Sequence, residues 1–235
     1  MKRAVLLVPL IALALAVTPA FAAPAGGVET EVTRTALLLT LLAVIPALIV
    51  STTSFLRIVI VLAMVRHAFG MPQTPPNVVL TSLALFMSLF LMGPTLDQIN
   101  KEALQPYLEG RADTELAMEK ASAPLRQFML AHTRERDIEM IYVVAQTPLP
   151  ERAEDISLLK LIPAFMLNEL RVAFTIGFVV LLPFLLIDLV VSSILLALGM
   201  MMVPPATISL PIKVLMFVLI DGWSLIMQGL LGSFS

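Results

Sequence analysis

His67 and His132 are the only imidazoles in this sequence, and neither has a second histidine or an acid at metal-ligand spacing. No cysteine is present, so thiolate metal sites, disulfides and cysteine nucleophiles are excluded. Glu115 with Glu119, and Glu135 with Glu139, are paired carboxylates at helical spacing. They lie in the most charged stretch of the chain and read as solvated face residues, not as a general acid and base. The sequence holds no Gly-rich phosphate loop, no G-x-S-x-G elbow and no H-E-x-x-H pair. These residues argue against an enzyme, a metal site and a bound cofactor.

A second set of polar residues is more informative because of where it sits. Arg57, Glu169, Arg171, Asp188, Lys213 and Asp221 lie in or beside long apolar runs. Left unpaired at the middle of a bilayer, each costs at least about 2.5 kcal/mol, so such residues face a partner or an aqueous path. Asp188 and Asp221 have two readings. They are proton-coupled carboxylates of a transporter, or they pair with Lys213 or Arg57, within the chain or between subunits. Acids and bases are nearly matched in number, which favours pairing.

The run Gly199-Met200-Met201-Met202-Val203-Pro204-Pro205 also stands out. Methionine is unbranched and polarisable and adapts to changing neighbours. Three in succession cannot all enter one helical core, because consecutive residues lie on different sides. Two readings stay open: a deformable ring that seals a pore in an oligomer, or ordinary packing in a chain with 14 methionines.

The elements that would carry these residues are membrane elements. Hydrophobic residues make up 59% of the 235, and only 14% are charged, against about 25% in soluble domains. Mean hydropathy is +0.96, and a net charge of −2 offers no basic field for nucleic acid. Lys2 and Arg3 precede an apolar run from Ala4 to Val17, and Ala20-Phe21-Ala22 supplies a small-x-small pattern. This predicts a signal peptide over residues 1–22, cleaved between Ala22 and Ala23, then a short periplasmic segment over 23–34. The rival, an uncleaved first membrane helix, is disfavoured by a run shorter than the roughly 20 residues needed to span.

Residues 97–160 hold 20 of the 32 charged residues, whereas 172–235 hold three. The chain therefore reads as an apolar block (35–96), a polar periplasmic insert (97–165) and a second apolar block (166–235). Each block breaks at a proline pair, Pro75-Pro76 in the first and Pro204-Pro205 in the second. Continuous apolar character without alternation predicts helices rather than barrel strands. The fold class is an all-α membrane protein, two helical hairpins with Pro-Pro turns flanking a small helical insert. A cleaved leader places the insert outside and both turns inside, with Arg57, Arg66 and Lys213 near the inner turns. In the insert, Ser122-Ala123-Pro124 reads as a helix start, and Asp137 to Ala145 as a second short helix.

Ser54-Phe55-Leu56-Arg57-Ile58-Val59-Ile60-Val61-Leu62, then Gln73-Thr74-Pro75-Pro76-Asn77, resembles the first signature of the FliP family. Pro183 to Val190, Met200 to Pro205, Ile208-Ser209-Leu210-Pro211 and Val218 to Trp223 resemble the second. The likeness covers essentially the whole mature chain. It implies an all-helical subunit of the type III protein export gate, assembled in several copies with FliQ and FliR into a closed, staggered cone. It further implies work beside FlhA, FlhB and the assembly factor FliO in the bacterial inner membrane at the flagellar basal body. Energy would come from the proton motive force and an ATPase held by other subunits. On this resemblance Met200, Met201 and Met202 form a gasket around an unfolded exported chain. Glu169 matches a position implicated in subunit contacts, and Phe128, in Phe128-Met129-Leu130, is a further contact. Virulence-associated injectisome subunits are similar, and the leader with the intact methionine turn leans toward the flagellar branch. Two rivals remain: a proton-coupled carrier of small solutes using Asp188 and Asp221, and a scaffold for other secretion components.

Overall fold

The computed structural model describes residues 28–71 and 73–234. The expected cleavage site at Ala22 and Ala23 lies outside the described residues. Every regular element among the described residues is helical. In hydrocarbon a helix satisfies its own backbone, which is why uninterrupted apolar sequence takes this form.

In chain order the helices are α1 (Val28–Thr52), α2 (Phe55–Ala68), α3 (Asn77–Leu91) and α4 (Gly93–Ile99). A π turn over Asn100–Leu104 leads into α5 (Gln105–Leu108). Then follow α6 (Thr114–Ala131), α7 (Glu135–Val144), α8 (Leu158–Ala197), α9 (Pro205–Leu219) and α10 (Gly222–Gly232). Among the described residues, helix α8 alone is long and apolar enough to cross a membrane, and counting each of three bent helix pairs as one span gives up to four. Its 40 residues make it about 60 Å long, twice a hydrocarbon core of about 30 Å.

The apolar runs are more broken than their composition suggests. The stretch before Phe69 is two helices, parted at Thr53 and Ser54, where hydroxyls turn back on the chain. Thr52 Oγ1 donates to the Leu48 carbonyl at 2.7 Å and Thr53 Oγ1 to Ile49 at 2.6 Å, a bonding habit that bends helices. The stretch after Asn77 is likewise divided at Met92, just before Gly93-Pro94. Helices α9 and α10 are bent by 65° at Ile220 and Asp221.

The chain forms two compact units. Of the described residues, one comprises Met92–Met166 with those up to Thr53, the other Ser54–Leu91 with those from Leu167 onward. In the first unit, Met129, Ile138, Tyr142, Ile156, Leu161, Ala164 and Phe165 are buried together. The Tyr142 hydroxyl accepts from the Ser157 amide at 3.1 Å, and Lys160 Nζ lies 4.2 Å from the centre of the Tyr142 ring. Helix α6 does not start at Ser122. It starts at Asp113, whose carboxylate accepts from the Leu116 amide at 2.9 Å, and it runs straight through buried Pro124. The cap supplies only about 1 kcal/mol, less than the roughly 3 kcal/mol an interior proline costs, so burial of Pro124 and its neighbour Met129 must carry the helix through.

In the second unit, Ile58, Val61, Leu62 and Val65 follow helical spacing along α2 and are fully buried. They pack with Leu80, Ala84, Ala173, Phe184, Phe217, Ile226 and Leu230. Phe69 meets Phe184 and Phe217 edge-on, at 5.2 and 4.8 Å between ring centres. Small residues let the helices approach. Ser54 and Ser88 hydroxyls lie 3.1 Å apart, and a Cβ added at Gly177 would stand 2.2 Å from Met64 Sδ.

Candidate functional site: buried ion pairs and an exposed methionine turn

Arg57 occupies the first turn of α2 and is 2% exposed. Its Nε donates to Glu169 Oε2 at 2.8 Å and its Nη2 donates to Glu169 Oε1, a two-point pair with a wholly buried acid on α8. Its Nη1 donates to the Ser233 carbonyl at 2.6 Å and to Ser233 Oγ at 2.9 Å. The Phe234 ring lies 3.7 Å from the guanidinium carbon. One buried cation therefore ties α2, α8 and the end of α10 together.

Lys213, on α9, repeats the arrangement. Its ammonium donates to Asp188 Oδ2 at 2.7 Å and to the Ala68 carbonyl, at the end of α2, at 3.1 Å. Each buried base is thus held by one carboxylate of α8 and by a carbonyl at the C-terminal end of another helix. That end carries partial negative charge, so it suits a cation. Nineteen residues, roughly 28 Å along α8, separate Glu169 from Asp188.

The remaining charges of the apolar blocks are placed differently. Arg171 is exposed on α8. Asp221 is exposed at the break between α9 and α10, with a left-handed backbone (φ 49, ψ 54). Arg66 donates through Nη1 to Asn77 Oδ1 and to the Pro75 carbonyl, strapping the loop that holds Pro75 and Pro76. The sequence leaves Asp188 and Asp221 either carrying protons or pairing with Lys213 or Arg57. The carbonyl partners of Arg57 and Lys213 are invisible there, because a helix end leaves no mark on side-chain composition.

Met200, Met201 and Met202 stand at the turn between α8 and α9 and are 44%, 81% and 96% exposed. The local cause is the closure of α8. The Met200 amide bonds the Leu195 carbonyl at 2.9 Å and the Gly199 amide bonds Leu196 at 3.0 Å, with Gly199 at φ 72. This helix-ending motif needs a left-handed residue, which glycine supplies freely. Pro204 and Pro205 then start α9, with Pro205 in its first turn. The methionines are left projecting from a short, firmly ended loop.

In the other unit Phe128 is half-buried, with its ring 4.5 Å from His132 and 6.0 Å from Phe165. His132 Nδ1 lies 2.7 Å from the Phe128 carbonyl. Glu115, Glu119, Glu135 and Glu139 are exposed, as is His67 on α2. Asp155 is held below the usual carboxylate range by the hydrogen bond from Arg152, whose guanidinium is raised in turn by the same bond. Among the described residues no three histidine, aspartate or glutamate side chains gather to hold a metal ion.

The sequence model of the FliP family matches residues 38–230. The flagellar biosynthetic protein FliP of Bacillus subtilis is 48% identical over 198 residues, covering 84% of this chain and 90% of that protein. Its counterpart in Pectobacterium carotovorum is 48% identical over 212 residues, covering 90% and 82%. That of Caulobacter vibrioides is 41% identical over 244 residues, covering 100% and 92%. With most of its length matched by the family model and by such relatives, this chain belongs to the FliP family.

Proposed function

We propose that the chain is a core subunit of the flagellar type III protein export gate and that it makes and breaks no bonds. It assembles in several copies with FliQ and FliR into a closed cone in the bacterial inner membrane, at the flagellar basal body. Unfolded flagellar proteins cross through that cone, with FlhA, FlhB and FliO as further partners. Family membership and the flagellar relatives support this assignment. The apolar helices, α8 above all, support a place in the membrane.

The observation that carries the gate reading is the methionine turn. Three flexible apolar side chains project from a tightly closed loop, and exposing them to water in a lone subunit is unfavourable. A ring of such loops from several copies would cover them mutually and still yield to a passing chain. The two proline-paired turns, at Pro75-Pro76 and Pro204-Pro205, set the hairpins that bring the loops to one side. The paired charges Arg57–Glu169 and Lys213–Asp188 hold the subunit's shape in this reading.

Deleting the chromosomal copy tests the assignment. Export of flagellar proteins into the medium should stop, and a plasmid copy should restore it. Continued export and normal filaments in the deletion strain would contradict the reading.

A further inference from the structure

We infer that Asp221 is a docking point for a neighbouring subunit, receiving a lysine or arginine side chain carried on an apolar helix of that subunit. The inference rests on this chain being one subunit of a larger membrane assembly. Its unit holds three acids: Glu169, Asp188 and Asp221. Arg57 satisfies the first and Lys213 the second. Among the described residues, Asp221 is the acid of this unit for which no cation or hydrogen-bond donor engages the carboxylate.

Local structure explains why the carboxylate is left over. Asp221 stands at the N-cap position of α10, where an aspartate ordinarily accepts from a first-turn amide. That bond requires an extended backbone, whereas Asp221 is left-handed, and its side chain makes no cap bond. The kink is also firmly packed. A Cβ at the next residue, Gly222, would stand 2.2 Å from the Phe217 ring, which itself meets Trp223 edge-on at 5.4 Å. This packing excludes a side chain at Gly222 and fixes the break in a geometry that leaves Asp221 exposed.

The surroundings then select the partner. Val218, Leu219, Ile220, Trp223 and Leu225 are all exposed around Asp221. A lone carboxylate in such a face is costly against hydrocarbon, and the surface is too apolar for water to be its resting neighbour. An apolar helix bearing one cation covers both features at once. Bases on apolar helices are scarce and expensive, so this contact also fixes register between subunits.

The test uses the absence of native cysteines. A chain carrying Asp221→Cys as its only thiol is expressed with the complete export apparatus, and separately without the other subunits. Membranes from each are treated with a water-soluble maleimide. Protection at least tenfold greater in the complete apparatus is expected. Equal reactivity in both would show an acid facing water, and equal inertness with the lone chain monomeric by cross-linking would show one buried in lipid; either overturns the inference. Asp221→Asn, which tolerates the left-handed backbone, should lower recovery of the assembled complex and export at least tenfold while the lone chain accumulates normally. Assembly and export at the wild-type level would also overturn it. If the deletion strain loses export but Asp221→Asn does not, only this inference falls and the export reading stands.

Discussion

Arg57 and Glu169 lie 112 residues apart in the sequence and meet as a two-point ion pair sealed from solvent. The same guanidinium holds the Ser233 carbonyl, so one side chain closes α2, α8 and α10 into a single unit. A buried pair of this kind contributes little net stability over a hydrophobic replacement, but removing one partner strands a charge.

Arg57→Ala and Glu169→Ala should therefore each destabilise the chain by about 3–5 kcal/mol. The double substitution Arg57→Met with Glu169→Leu should be far milder than either single change. Thermal unfolding of the detergent-solubilised protein measures this. Equal losses in single and double variants would remove the pair from the account.

Lys213 and Asp188 give a graded version of the same experiment. Asp188 is partly open to solvent while Lys213 is not, so Lys213→Ala, which leaves the more hydrated partner, should cost less than Asp188→Ala. Asp188→Asn keeps a hydrogen-bond acceptor for the ammonium and should retain export. Loss of export with an intact, stable Asp188→Asn chain would instead favour a proton-carrying carboxylate.

Gly177 tests the close approach of α8 to Met64. Gly177→Ala should cost about 1–3 kcal/mol through overpacking. Met64→Ala should recover part of that loss, because the nearest atoms are the sulfur and terminal carbon of a flexible side chain. A neutral Gly177→Ala would show that Met64 simply swings aside.

Asp155 supplies a pH marker outside the membrane helices. Its folded carboxyl titrates below the ordinary value because Arg152 donates to it. Any stabilisation is thus present above the usual aspartate range and lost as pH falls through the lowered folded value. The pair is exposed to water, so its effect on stability is small. Carboxyl NMR should find the Asp155 midpoint rising toward the ordinary value in Arg152→Gln, and an unmoved midpoint would contradict the assigned cause.

Much of this architecture was legible in sequence. The FliP signatures around Arg57 and Asp188 gave the family, and uninterrupted apolar runs gave helices. The breaks inside those runs were harder. Thr53-Ser54, Gly93-Pro94 and Asp221-Gly222 each mark one, but a hydropathy average passes over two residues in twenty. Pro124 misled because proline suits a first helical turn, whereas the Asp113 cap eleven residues earlier had already fixed the start. The carbonyl partners of Arg57 and Lys213 were hidden for a different reason. Ala68 binds through its carbonyl and Ser233 through its carbonyl as well as its hydroxyl, and the carbonyl contacts depend on where helices end in space rather than on residue type.

The most direct test of the gate is ion leak and flagellar export in cells carrying Met200, Met201 and Met202 all changed to alanine, with complex size checked in detergent. The complex should still assemble and the membrane should leak ions, because three projecting side chains that closed the pore are gone. A correctly sized complex with a tight membrane and normal export would contradict it and leave those methionines as packing.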